Sequence, residues 1–399
     1  MTQHDRTTGW AARVAGMAVI AAVGVSIIYV PQPIQTLAAA ELGVPLAQSS
    51  GPTVAVQLGY ALGVVFLVSL GDRLIPRTQV AVQLAVTAAA ILVAAFSASF
   101  AVLTAAMFVA GAAATVGQIL VSAALRLAPP ELRARTTAVL VGSILIGLFA
   151  VRTLLGTFAE ALGWRTVLVA AAVIVLACIP LALRFAPPSR PPATARYLGI
   201  LASIPRIVLL SRPLRLLTIT HAFAFSAFIT VWSMVTLHGV TELGLTVTQT
   251  AAIGIAGLLG GAATVASSRS QPRIGTKRAL PLSLLTLIVG CACIAAFPHV
   301  TALVALGLFL VSFGMSSSQV SSQANALASV EPSESGRANT VFIAVTFFAS
   351  SAATASAVAV MRDFGYRGVA VMGLILGVAS ISMALFSMTG QVVRQARST

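Results

Sequence analysis

Leu70-Gly-Asp-Arg-Leu-Ile-Pro-Arg77 puts three charges into eight positions of a chain with only 24 basic and nine acidic side chains among 399 residues. On either side the sequence turns apolar, over 52–70 and 79–98. Each run approaches the roughly 20 residues that carry a helix across a bilayer, so the charged stretch reads as a turn at a membrane face. The same alternation recurs from end to end. Hydrophobic residues make up 58% of the chain, charged ones 8%, and the mean hydropathy is +1.00. A soluble fold of this length cannot hide so much apolar surface from water. The expected fold is therefore all-α and polytopic, with lipid as the solvent for most side chains.

Twelve spans are predicted, near 14–37, 52–70, 79–98, 101–126, 136–159, 165–185, 213–236, 248–267, 279–297, 301–326, 338–361 and 368–389. In hydrocarbon every backbone polar group needs an internal partner, which selects helices over open strands. The formal charge of +15 points away from nucleic acid once its distribution is read. With the N-terminus inside the cell, 20 of the 24 basic residues fall in the termini and inner loops, three (Arg165, Arg362, Arg367) outside, and Arg152 within a span. That asymmetry is the positive-inside pattern, and it puts both termini in the cytoplasm of a bacterial plasma membrane. The first apolar run is too long for a signal peptide and reads as a retained helix. Cys178, Cys291 and Cys293 lie in spans as small buried hydrophobes. Residues two apart on a helix face different ways, so Cys291 and Cys293 are no metal pair. Neither a metal nor a cofactor is expected, and no nucleophile–base set suggests an enzyme.

The chain also repeats itself. Arg135-Thr-Thr-Ala-Val and Gly163-Trp-Arg165 return as Arg337-Ala-Asn-Thr-Val and Gly365-Tyr-Arg367, Gln118 returns as Gln319, and Arg73-x-x-x-Arg77 as Arg273-x-x-x-Lys277. The offsets lie between 200 and 202, at the same place in the helix order each time. Two six-helix bundles are expected, over 1–185 and 213–399, joined by a cytoplasmic linker at 186–212. Pro187, Pro188, Pro191 and Pro192 keep the linker's first part extended. Residues 197–210 suit a short amphipathic helix on the inner membrane surface, against lipid headgroups. Paired bundles of this kind support alternating access about a site near the midplane.

Gly71-Asp72-Arg73-x-x-x-Arg77 resembles the loop between the second and third helices of the major facilitator superfamily. The resemblance runs the length of the chain: the span count, the two-fold repeat, the long middle loop and the echo at Arg273 and Lys277. Within that family the sequence looks most like the bacterial 12-helix drug and sugar efflux permeases. Tyr29-Val-Pro-Gln-Pro, Gln57-Leu-Gly-Tyr, the Gly-x-x-x-x-Arg152 pattern with Gly163-Trp-Arg, and Ser321-Ser-Gln-Ala-Asn support the likeness. The resemblance implies a conformational latch at Gly71, Asp72, Arg73 and Arg77, acting against the start of the eleventh helix in the outward-facing state. Pro272 stands where Asp72 would recur, so the second copy lacks the acid. The chain departs from the drug–proton antiporter pattern in two places: Met107 replaces an Arg before Gly111, and Thr157 follows Gly147-x8-Gly156 where a Pro is usual.

Polar groups at membrane depth are costly and tend to face a cavity. Arg152 reads either as a headgroup-seeking Arg, paired with Glu160 or Glu41, or as a cavity cation for an anionic or carbonyl-rich substrate. His221 reads either as a hydrogen-bonded structural residue or as a proton carrier. Gln32, Gln57, Gln118, Gln319, Gln323 and Asn325 are the remaining cavity candidates, each with a plain helix-contact alternative. Gln35 joins Gln32 where Pro31 and Pro33 bend the first span. Trp232 reads either as an anchor at the outer interface, the favoured reading, or as an aromatic wall. Every acid falls in a terminus, loop or span end, so proton coupling has only His221, Asp72 and Glu41 to draw on. The leading expectation is a monomeric secondary transporter exporting a small organic compound (a drug, metabolite or sugar-like solute), coupled to protons and associated with drug resistance. The alternatives are an importer or uniporter of a neutral or anionic nutrient and, more remotely, a receptor or scaffold without transport.

Overall fold

Backbone N–H and C=O groups surrounded by lipid are satisfied locally only in a helix, and helices are what the apolar runs form. The computed structural model describes residues 3–45, 48–71, 73–188, 197–267, 276–331 and 334–396. These are almost wholly helical, with no strand among the described residues. The chain divides into two units, Met1–Leu201 and Ala202–Thr399.

The first unit has six helical stretches long and apolar enough to cross a membrane: Gly9–Glu41, Gly51–Val68, Pro76–Ala95, Phe100–Ala124, Arg135–Leu162 and Trp164–Phe185. The second has Arg212–Thr241, Val247–Ser267, Arg278–Ala296, Thr301–Ala328 and Ser335–Ser387. The last is 53 residues long, which at helical rise is about 80 Å against a hydrocarbon core of about 30 Å. It therefore crosses twice. The break is at Gly365, whose φ of 61° and ψ of −167° are non-helical. Gly163 separates spans five and six at the equivalent place, with φ of 81°. Both angles fall where only glycine sits without penalty. Twelve crossings result, as the hydropathy predicted.

Local chemistry sets the helix starts. Pro76 occupies the first turn of span three, where its missing N–H costs nothing. Ser99 accepts a hydrogen bond from Val102 N, and Thr246 and Gln249 form a reciprocal capping box before Val247. Span one is interrupted by a 3-10 turn over Ile27–Tyr29, directly before Pro31 and Pro33.

The sequence repeat is visible as repeated packing. In the first unit span two lies against span four, three against six, and one against five; in the second, span eight lies against ten and span nine against twelve. One crossing reproduces itself atom for atom. A Cβ added to Gly59 would lie 2.1 Å from the Phe108 carbonyl oxygen, and one added to Gly260 would lie 2.7 Å from the Phe309 carbonyl oxygen. Both pairs are related by the same offset of 201 positions, and both crossings need a residue without a side chain.

Candidate functional site

In the first unit, polar side chains gather inside the bundle rather than toward lipid. Tyr29, Gln32, Gln35 and Thr36 of span one are all buried, because the 3-10 turn and the two prolines rotate this part of the helix inward. Gln35 accepts a hydrogen bond from Thr53 of span two at 3.0 Å. Gln118 of span four donates to the Tyr60 hydroxyl of span two at 3.4 Å. Arg152 is only 1% exposed and donates through Nη1 to Gln32 Oε1 at 3.0 Å. Glu41, one of the two acids considered as its partner, is engaged by Trp164 and Arg165. Gln57 is wholly buried in span two.

The second unit has a different lining. His221 of span seven is 1% exposed and stacks on Phe342 of span eleven, with ring centroids 4.9 Å apart and planes 7° from parallel. Phe225 lies 5.9 Å away on its own helix and leads through Phe228 to Trp232. Neither ring nitrogen of His221 has a hydrogen-bond partner among the described residues, which is unlike the hydrogen-bonded structural histidine that was one of its two readings. Trp232 is fully buried, with Gly257 against its six-membered ring, which goes against the favoured anchor reading and agrees with the aromatic wall. Gln323 donates to Asn339 of span eleven at 2.7 Å, Asn325 donates to the Ser321 carbonyl of its own helix, and Gln319 is half-buried.

In the opening stretch, Asp72 lies outside the described residues, as do Pro272 and Arg273. Around it, Gly71 N donates to Val68 O and Arg73 N to Leu70 O, closing a tight turn. Arg77 fastens that turn to the start of the linker, through its Nε to the Ala186 carbonyl at 3.3 Å and its backbone N–H to the Pro187 carbonyl at 3.1 Å.

A pair of clasps escaped the sequence reading. Glu41 accepts from Trp164 Nε1 at 2.6 Å and from Arg165 Nε at 2.8 Å, and Arg165 Nη1 also donates to the carbonyls of Ala95 and Ser97. Glu242 accepts from the Tyr366 backbone N–H at 2.9 Å and faces His238 Nδ1 at 3.1 Å, whose Nε2 meets the Pro298 carbonyl at 2.8 Å. Each clasp ties the end of its unit's first span to the turn after the fifth and the turn after the third. The signal was present as Glu41-Leu-Gly43 and Glu242-Leu-Gly244, 201 apart, whose glycines have φ of 66° and 64°.

Comparison with known proteins identifies the class. The family model for the Major Facilitator Superfamily matches residues 14–354. A probable transporter of Streptomyces coelicolor is 31% identical over 369 residues, 90% of this chain and 85% of that one. YgaY, an uncharacterized transporter of Escherichia coli O157:H7, is 29% identical over 218 residues; the match spans about half of each chain, 54% of this one and 55% of that one. The crystal structure of the human organic anion transporter MFSD10 superposes with a TM-score of 0.71 over 94% of this chain and 98% of that one. Its 16% identity speaks for the fold alone.

Proposed function

The chain belongs to the major facilitator superfamily, and on that premise we propose that it exports a small organic compound across the bacterial plasma membrane by alternating access, in exchange for protons. The observation that carries a transport role is Arg152, a guanidinium buried at 1% exposure inside the first helical unit and bonded to the neutral Gln32. A buried charge of this kind is expensive and marks a solute pathway. Members of the family are transporters, and the relatives matched here are named so. Export follows from the likeness of the Gly71–Arg77 stretch and its companion motifs to the efflux permeases.

His221 is the group we assign to proton exchange, since it is titratable, buried, and stacked on Phe342 of another span rather than locked by a hydrogen bond. Gly71, Asp72, Arg73 and Arg77 act as the latch, with turnover depending on Asp72. The basic inner loops hold both termini in the cytoplasm. The protein works as a monomer among membrane lipids. Arg152 also favours a second reading, uptake of an anionic nutrient without protons.

Proteoliposomes containing the purified chain and a trapped pH indicator separate the two. On addition of a compound that the protein binds, exchange predicts a proton flux opposite to solute movement that vanishes with a protonophore. Solute movement that is indifferent to the proton gradient would sink the antiport reading.

A further inference from the structure

We propose that the first unit carries a carboxylate-binding subsite made of Arg152, Gln32, Tyr29 and Thr36, so that the transported compound is an organic anion. This deepens the transport reading and names its substrate class. Tyr29, Gln32 and Thr36 stand three and four residues apart on span one, a spacing that places them on one helical face. Gln32 fixes where that face points, because its Oε1 receives the Arg152 guanidinium at 3.0 Å. Span five packs against both the Ile27–Tyr29 turn and the Pro31–Glu41 helix. The burial is severe: Tyr29 and Gln32 are 0% exposed and Thr36 6%.

What remains unspent on this face is hydrogen-bonding capacity. The Tyr29 hydroxyl, Gln32 Nε2 and the Thr36 hydroxyl have no hydrogen-bond partner among the described residues. A buried polar group left in that condition is costly. Beside a guanidinium, an amide N–H2 and two hydroxyls all act as donors at once only toward an acceptor-rich ligand. A carboxylate is the simplest, since its two oxygens match the planar guanidinium fork and accept several hydrogen bonds together.

The internal repeat separates this arrangement from scaffolding. Offsets of 201 in span one and 202 in span five map Tyr29, Gln32 and Arg152 onto Thr230, Ser233 and Thr354. In the second unit Thr230 donates to the Ser226 carbonyl at 2.7 Å and Ser233 to the Thr230 carbonyl at 3.4 Å, so both are satisfied on their own helix. The helices therefore pack at these positions without a guanidinium or a spare amide. The glutamate clasps and the glycine crossing, which the scaffold needs, recur in both units.

The test uses the full chain purified in detergent micelles and matched probes of one shape: benzoate, 2-naphthoate and 4-phenylbutanoate, their neutral amides, and benzamidine as a cation. Thermal unfolding and calorimetry read binding, which needs no transport. At least one carboxylate stabilises the protein and binds ten-fold or more tightly than its amide. Arg152→Gln loses that preference and Arg152→Lys keeps part of it. Should Arg152→Gln not fold, Gln32→Glu answers instead, because it sets a carboxylate against the guanidinium and abolishes the response to added carboxylate in a folded protein. Stabilisation by amides or benzamidine equal to that by carboxylates overturns the subsite. So does the absence of any carboxylate response, or a carboxylate response unchanged in either variant. Carboxylate binding that requires Arg152, in a protein that gives no flux in proteoliposomes, supports the subsite and counts against the transport reading.

Discussion

One substitution, made at two glycines, tests the packing with opposite signs. Gly111 of span four faces span two so closely that an added Cβ would lie 2.1 Å from the Val56 carbonyl oxygen, 2.8 Å from its carbonyl carbon and 2.9 Å from its Cα. All three are backbone atoms and cannot swing aside. Reaching an acceptable separation means parting the two helices by roughly 1 Å, and overpacking of that order costs about 1–3 kcal/mol. Alanine returns about 0.5–1 kcal/mol through its better helix propensity, which leaves a net loss of about 1 kcal/mol at the middle of both ranges. Gly142, in the Arg133–Leu162 helix, has nothing within 4 Å of the same added atom. There the propensity gain stands alone. In a unit of about 200 residues, 1 kcal/mol moves Tm by about 2–4 °C. Gly111→Ala should therefore lower the apparent Tm by about 2–4 °C and Gly142→Ala should raise it by about 1–4 °C. The assay is thermal unfolding of each purified variant in one detergent at one scan rate. If Gly111→Ala unfolds within a degree of the parent, or Gly142→Ala falls as far as Gly111→Ala, the close crossing of spans two and four is refuted.

Three more outcomes are expected. Glu41→Gln weakens a pair whose partners are 51% and 34% exposed, so it should cost only about 0.2–1 kcal/mol; Arg165→Gln, which also releases the Ala95 and Ser97 carbonyls, should cost more, and the double variant should lose less than the sum of the two; additive losses in thermal unfolding would mean the two residues act separately. Asp72→Asn should slow turnover at least several-fold while leaving ligand affinity within a factor of two, read as flux in proteoliposomes beside calorimetry; a parallel fall in both would remove the latch role. His221→Gln should abolish uphill transport driven by a proton gradient yet retain exchange of labelled for unlabelled compound; uphill transport that persists would show that the proton is carried elsewhere.

The architecture was legible in the sequence because two strong signals coincide. Apolar runs report helices of bilayer length, and the offset near 201 pairs them into two units; both signals come from many residues and survive local irregularity. Site chemistry rests on single side chains, and there legibility was uneven. Arg152 stood out because a charge inside an apolar run is rare. Tyr29 and Thr36 did not, since hydroxyls are common in membrane helices and usually bond to their own backbone, as Thr230 does here. Only the structure shows that these two hydroxyls have no hydrogen-bond partner among the described residues. Trp232 was misplaced because the expected span ended at 236, four residues beyond it. The helix runs on to Thr241, which draws Trp232 deeper into the bundle. The clasps were missed because Glu41 was read as a proton-coupling candidate or a partner of Arg152, and Glu242 only as an acid in a loop or at a span end.

The repeat lets the chain serve as its own control. Where both units keep the same residues, the shared requirement is mechanical: glycine at the crossing of the second and fourth helices, glutamate at the end of the first. Even the clasps have diverged in one respect. Arg165 bridges Glu41 to the Ala95 and Ser97 carbonyls with a permanent charge, whereas His238 bridges Glu242 to the Pro298 carbonyl with a ring that can lose its proton. Where the units differ most, the difference is chemical. Spans one and five place a guanidinium among spare donors, while spans seven and eleven place an imidazole against a phenyl ring. A solute site and a proton site built from one ancestral bundle would have to diverge at these core positions, because a single pocket that holds an anion by positive charge is poorly suited to taking up a proton as well. The division of labour proposed for Arg152 and His221 ties their two experiments together. Arg152→Gln should remove binding, and His221→Gln should remove coupling alone; a variant set in which both substitutions give the same phenotype would return the two residues to one shared site.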